Sequence, residues 1–66
     1  MVYLAVDKYG NEFVFESKPR KNKWWWVLDP KDSVVIELPK GSIFKLIGKN
    51  LTWDNEPFQL TNKLEG

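Results

Sequence analysis

The sequence has 66 residues, which is room for one domain, and its formal net charge is only +1. It contains neither Cys nor His, which excludes disulfides and thiolate metal sites and removes the commonest catalytic nucleophiles and bases. A chain this short buries about 60% of its unfolded surface. We therefore expect a single small domain over residues 1–66, without a cofactor or metal, whose core uses large aromatic side chains.

The first two strand patterns are VYLAVD and EFVFE, separated by a turn that contains Gly10. Two registers fit the turn. A loop of three residues places Leu4 opposite Val14, whereas a loop of four residues pairs Asp7 with Glu12. We prefer the second register, because burying one clean apolar face usually decides the pairing of strands. That face would consist of Val2, Leu4, Val6, Phe13 and Phe15.

The basic segment KPRKNK, residues 18–23, is predicted to be a connecting loop. Pro19 interrupts a β-ladder, and the cations of this segment do not belong in a core. Its charges are Lys18, Arg20, Lys21 and Lys23, with no acidic residue among them.

Three adjacent tryptophans follow the basic segment. The stretches KWWWVL and SVVIEL flank DPKD, in which Asp29 and Pro30 fit the first two positions of a type I turn. Because side chains alternate along a strand, the predicted hairpin places Trp25 in the core and leaves Trp24 and Trp26 on the opposite, mixed face. The predicted apolar face consists of Trp25, Val27, Val34, Ile36 and Leu38.

The remaining pattern predicts a short helix and a closing hairpin. Ser42 is the candidate N-cap of the helix, and Gly48 is the candidate residue for its C-terminal end. The stretches LTW and FQL surround DNEP, which predicts a hairpin with Trp53 facing Phe58. Residues 61–66 are expected to be frayed.

These elements predict a mainly β fold with one short helix. The predicted order is β-β-β-β-short helix-β-β, and short antiparallel strands with tight turns indicate a meander that forms a small sandwich or a partly open barrel. Such a fold carries no function by itself.

The stretches YLAVDKYGNE and ELPKGSIFKLIGKNLTWDNEP resemble small proteins encoded in bacteriophages and prophages. The resemblance covers most of the chain, is clearest over residues 37–57, and does not include the triple tryptophan. It implies a bacterial or phage origin and a cytoplasmic setting, and it brings no catalytic residues. The opening residues lack the pattern of a signal peptide, and no apolar run reaches the roughly 20 residues of a membrane span, so we expect no membrane partner.

The pattern of polar residues does not indicate an enzyme. The serines Ser17, Ser33 and Ser42 have no His or Cys partner to activate them. The acids Asp54 and Glu56 lie in a predicted exposed turn, where nothing would perturb them. The stretch LPKGS lacks the upstream glycine of a phosphate-binding loop. We therefore expect a protein without catalytic activity.

Binding is the function that the aromatic and basic residues favour. The candidate partner-binding residues are Trp24 and Trp26 together with Arg20, Lys21 and Lys23. A host or phage protein is the favoured partner, and a second copy of the chain would use the same face. The alternative is a single-strand nucleic acid, with bases stacking on the rings at about 1–3 kcal/mol each, although the cations are few for binding phosphates. A competing structural interpretation is that the helix or the closing hairpin covers these rings.

Overall fold

A computed structural model of the protein describes residues 2–28 and 34–60. The predicted class is confirmed, because this part of the chain is mainly β, with antiparallel strands and one short helix. The order of elements differs from the predicted one, since five strands precede the helix and one follows it within the described residues. The elements are β1 Val2–Val6, β2 Glu12–Phe15, β3 Arg20–Lys21, β4 Trp26–Val27, β5 Val35–Leu38, α1 Ser42–Ile47 and β6 Phe58–Leu60.

Four of the strands form one sheet in the order β5-β2-β1-β6, and β3 and β4 form a separate two-stranded hairpin. Within residues 2–28 and 34–60 the sheet is open and does not close into a barrel. The two central strands, β1 and β2, are joined by a short loop, whereas β5 and β6 reach the sheet through longer connections. The core therefore depends on pairings between distant parts of the sequence.

The predicted pairing of the tryptophan strand with residues 34–38 is wrong. Instead β4 pairs with β3, Lys21 facing Trp26, and β5 pairs with β2, Val14 facing Ile36. The expectation that residues 18–23 are only a loop is wrong for the same reason, and Pro19 is buried. A two-stranded hairpin leaves its cations in water, so their charge does not oppose pairing. The predicted type I turn of DPKD lies outside the described residues.

The loop between β1 and β2 has the shorter of the two predicted lengths. Leu4 faces Val14, so the preferred four-residue loop is wrong. The loop itself explains the register, because the Asp7 carboxylate accepts the backbone N–H groups of Tyr9 and Asn11, each at 2.9 Å. The Asp7 N–H also donates to the Asn11 carbonyl at 2.9 Å. These local bonds outweigh the gain from one clean apolar face, since both faces of the sheet receive a cover.

The first cover is α1, which packs on one face of the sheet. Leu4, Val6 and Ile43 form the buried centre of this core, with exposed fractions of 0%, 5% and 1%. Their burial removes apolar surface from water and provides the main stabilising free energy of the fold. Partly buried apolar residues surround them: Val14, Leu38, Ile47, Leu51, Phe58 and Leu60.

The two ends of α1 are closed in different ways. The predicted N-cap is wrong, because Gly41 occupies that position without a side-chain bond and Ser42 is the first helical residue. The Glu12 carboxylate of β2 instead accepts the N–H groups of Gly41 at 2.7 Å and Ile43 at 2.8 Å. At the other end Gly48 has the predicted left-handed conformation, with φ of 77°, which glycine adopts without strain.

The closing hairpin of the prediction is also wrong. β6 pairs with β1, so Phe58 faces Leu4 rather than Trp53. The segment that contains Trp53 turns instead of extending, because the Asn55 side chain accepts the N–H of Thr52 at 2.7 Å and the Asn55 N–H donates to the Thr52 carbonyl at 3.0 Å. The predicted fraying of residues 61–66 concerns residues outside those described.

Candidate functional site

The loop of the β3–β4 hairpin, residues 22–25, carries the first two tryptophans and is ordered by one side chain. The Asn22 amide oxygen accepts the backbone N–H groups of Trp24 and Trp25, both at 2.8 Å. The Asn22 N–H donates to the Trp25 carbonyl at 3.0 Å. Asparagine commonly makes such bonds to the backbone two or three residues further on. The loop therefore presents the two tryptophans from a fixed backbone.

Trp26 attaches the hairpin to the rest of the chain. Its indole N–H donates to the Val6 carbonyl at 2.8 Å, and its ring packs edge-on against Trp53 with centroids 5.4 Å apart. The Lys21 ammonium lies 4.1 Å from the Trp53 ring centroid and 5.4 Å from that of Trp26, and it donates to the Trp53 carbonyl. Trp26 and Lys21 thus hold the hairpin in place, and a role for them in partner binding stays a prediction.

Trp24 and Trp25 lie at the surface, with exposed fractions of 50% and 56%. The prediction that Trp25 is a core residue is therefore wrong. Strand parity fails because residues 22–25 form a loop, so that β4 begins only at Trp26. The two exposed rings pack on each other with centroids 5.8 Å apart and planes tilted by 35°. The sequence contained a signal for this loop, namely Asn22 two positions before the first tryptophan.

Two cations accompany the exposed rings. The Lys23 ammonium lies 6.0 Å from the Trp24 ring centroid, and Arg20 is exposed on β3. Of the residues that the sequence predicted for partner binding, Trp24, Arg20, Lys21 and Lys23 are exposed and Trp26 is half-buried.

An apolar cleft of about 260 Å³ lies between the hairpin and the face of the sheet opposite α1. Phe13 and Phe15 form its floor, with ring centroids 6.0 Å apart. The predicted register placed both rings on the same face as Leu4, which is wrong because the observed register puts them on the other face. The cleft is lined by the apolar residues Phe13, Phe15, Trp25, Trp26, Leu28 and Val35 and by the acidic residue Asp7.

A second, more open depression of about 370 Å³ lies between the Gly10 loop and the turn at Thr52. Its charged lining residues are Asp7, Lys8, Glu12 and Asp54. The carboxylates of Asp7 and Glu12 accept backbone N–H bonds and so have structural roles, and Asp54 is exposed. Among the described side chains there is no cluster of three acidic, His or Cys residues that would hold a metal ion. The apolar cleft and the hairpin tip are therefore the candidate site.

Comparison of the chain with protein-family models, with curated proteins and with solved structures gives no match. No helix in the described part of the chain combines the length and apolar character needed to span a bilayer. The functional assignment therefore rests on the geometry of the hairpin and the cleft.

Proposed function

We propose that this chain is a non-enzymatic binding protein that holds a partner protein against the tip of the β3–β4 hairpin. The observation that carries the proposal is the pair Trp24 and Trp25, two neighbouring rings that are each about half exposed. Tryptophan is enriched among the residues that dominate binding energy at interfaces. A large exposed apolar surface is also costly for a small domain to keep without a partner.

The fixed geometry of the tip supports the same function. Asn22 bonds to the backbone of both tryptophans before any partner arrives. Binding therefore does not have to order the loop, and less of the interaction free energy is lost to conformational entropy. A rigid aromatic pair of this kind is suited to insertion into an apolar pocket on the partner.

The positive charge beside the rings indicates which side chains should surround the pocket on the partner. Arg20 and Lys23 flank the hairpin tip, and the segment that includes them has no acidic residue. Acidic side chains around the partner's apolar pocket would complement these cations, which favours rapid and selective association. The proposed partner is a host or phage protein in the cytoplasm. The support for this is the resemblance of residues 37–57 to small proteins encoded in bacteriophages and prophages.

A single-strand nucleic acid is the second candidate, and the exposed stack beside Lys23 is the observation that favours it, since bases stack on such rings. The contacts of Lys21 count against it. This ammonium lies over Trp53 and donates to its carbonyl, so a phosphate would have to compete with these contacts. Binding of a polyanion depends on the number of phosphates that are neutralised, and the hairpin has few cations left for that purpose.

The test is affinity capture from a bacterial lysate, with and without nuclease, using three forms of the chain. The unaltered chain and a Phe44→Ser control, which changes an exposed aromatic residue on α1, are expected to recover the same protein in both treatments. The double variant Trp24→Ser and Trp25→Ser is expected to lose it while remaining folded. Recovery that survives in the double variant contradicts the proposal, and recovery that nuclease abolishes assigns the site to nucleic acid.

A further inference from the structure

β5 is an edge strand whose outer side faces no other strand in the described part of the chain. Its hydrogen-bonding parity follows from one contact, the N–H of Glu16 donating to the Val34 carbonyl at 3.2 Å. Bonded and non-bonded pairs alternate along an antiparallel ladder. Val34 and Ile36 therefore direct their backbone groups toward β2, and Val35 and Glu37 direct theirs outward.

The side chains of the two outward-bonding residues lie on the face with the cleft. Val35 is opposite Phe15 and Glu37 is opposite Phe13, and Val35 itself lines the cleft together with Trp25. Directly opposed residues of paired strands share a face. A strand added outside β5 would thus place one side chain beside Val35 at the cleft and another, two positions away, beside Glu37.

We propose that β5 takes up an extended segment of the partner protein as an additional strand of the sheet. The segment carries an apolar side chain opposite Val35, which enters the cleft near Trp25, and a Lys or Arg opposite Glu37. Main-chain hydrogen bonds supply affinity and alternate side chains supply specificity in this type of recognition. The inference rests on the proposed function and specifies how that partner is bound.

The composition of β5 supports an edge that is kept open. Natural edge strands are blunted by short length, charged side chains (Lys above all), Pro, bulges or a covering segment, because an exposed apolar edge pairs with other chains. Of these features β5 has its length of four residues and the charge of Glu37. β5 has no Lys or Pro within its bounds, and its apolar residues Val35 and Ile36 are 45% and 57% exposed. Glu37 is the only charge on the strand, so a cation on the incoming segment is what complements it.

The same features favour a different protein over a second copy or a nucleic acid. A two-fold pairing of β5 with itself about Ile36 would place each Glu37 opposite a Val35, which leaves both carboxylates without a cation. A nucleic acid has no backbone N–H and C=O groups in strand spacing, so it cannot continue the ladder at Val35.

The experiment is selection of binders from a library of synthetic peptides of random sequence by the unaltered chain and by Glu37→Lys. The unaltered chain is expected to retain peptides with an apolar residue and a Lys or Arg two positions apart. Glu37→Lys is expected to retain Asp or Glu at the second position and to bind the original peptides up to about fivefold more weakly. Failure to retain peptides, or a pattern that Glu37→Lys leaves unchanged, overturns the inference.

A second measurement uses backbone amide exchange, with the retained peptide as the ligand. The amides of Val35 and Glu37 are expected to gain protection, whereas that of Ile36, already bonded to β2, is expected to change little. Protection of Val35 in the free chain that rises with protein concentration would instead show self-pairing and would overturn the inference.

Val35→Pro separates this inference from the proposed function. It removes one outward N–H without touching the β2–β5 ladder, a change that edge strands tolerate, and it is expected to abolish peptide binding. Lysate capture that is lost in the Trp24 and Trp25 double variant but unchanged in Val35→Pro would leave the proposed function standing and refute strand addition.

Discussion

The two faces of the four-stranded sheet are covered to different degrees. On one face α1 closes a buried core around Leu4 and Ile43. On the other face the β3–β4 hairpin leaves an apolar cleft and holds Trp24 and Trp25 in the solvent. A chain of this length needs most of its large side chains for burial. Two neighbouring tryptophan rings left outside the core beside an apolar cleft therefore indicate a surface for binding, and stability and binding should respond to different substitutions.

The largest expected effect is at the helix-covered face, and the chain offers a matched pair of isoleucines. Ile43→Ala should cost about 2–5 kcal/mol, because it removes a buried side chain and leaves a cavity, and this is enough to unfold much of a small domain. Ile36→Ala, at an exposed position of β5, should cost less than about 1 kcal/mol. Urea unfolding measures both, and equal costs would show that burial beneath α1 does not set the stability of the fold.

The second prediction compares two adjacent tryptophans of the hairpin. Trp26→Ala should cost about 2–3 kcal/mol, somewhat less than a fully buried tryptophan, because it removes the bond to Val6 and the contact with Trp53. Trp25→Ala should change stability by no more than about 0.5 kcal/mol and should weaken partner capture. Thermal unfolding followed by circular dichroism shows which of the two substitutions destabilises the fold more. A larger loss of stability in Trp25→Ala than in Trp26→Ala would show that Trp25 is a core residue.

The third prediction concerns the cap that β2 provides for α1. Glu12→Ala removes the acceptor of two helix N–H groups and should cost about 1–3 kcal/mol. Glu12→Gln keeps one carbonyl oxygen and should cost less. Glu16→Ala, at an exposed position just after the same strand, is the control and should stay within about 0.5 kcal/mol. Denaturant midpoints that are equal for Glu12→Ala and Glu16→Ala would mean that the cap contributes nothing.

Local patterns were sufficient for the elements whose causes are local. Alternation predicted β1 and β2, and the apolar spacing ended by Gly48 predicted α1. The predicted fold class followed from the same short runs. Each of these elements is determined by residues within a few positions of one another, which is the range that a sequence pattern reports.

Distant or side-chain-dependent features were not predictable in this way. The cap from Glu12 joins groups 29 and 31 positions apart, and the pairing of β5 with β2 crosses the whole hairpin. The register of β1 and β2 is set by the hydrogen bonds of the Asp7 side chain, and not by the rule that strands pair so as to bury one apolar face. Trp25 is exposed because residues 22–25 form a loop rather than the start of a strand. The alternation of apolar and polar residues does not distinguish these two possibilities.

Among the four residues whose loss should destabilise the fold, Ile43, Trp26, Glu12 and Asn22, the effect on stability should be smallest at Asn22, where the consequence for binding should be larger. Asn22→Ala removes the acceptor for the N–H groups of Trp24 and Trp25 and should cost about 1 kcal/mol. The exposed rings then lose their fixed backbone, so part of the binding free energy goes into ordering the loop. Partner capture should fall several-fold, and amide exchange at both tryptophans should become faster.

Asn22→Asp is the control that tests whether the loop needs only an acceptor oxygen at this position or the amide group itself. The carboxylate keeps an oxygen in place for the two N–H groups, and such a residue bonds its own backbone in the same manner as Asn. Stability, slow exchange at Trp24 and Trp25, and partner capture should therefore all be retained. If Asn22→Asp keeps exchange slow but loses capture, the partner contacts the amide itself or its acidic side chains repel the added charge, and in both cases Asn22 faces the partner. A different outcome would be faster amide exchange in Asn22→Ala with unchanged partner capture. The partner would then order the hairpin tip without loss of affinity, and the fixed backbone of the loop would not be what makes this face of the sheet a binding surface.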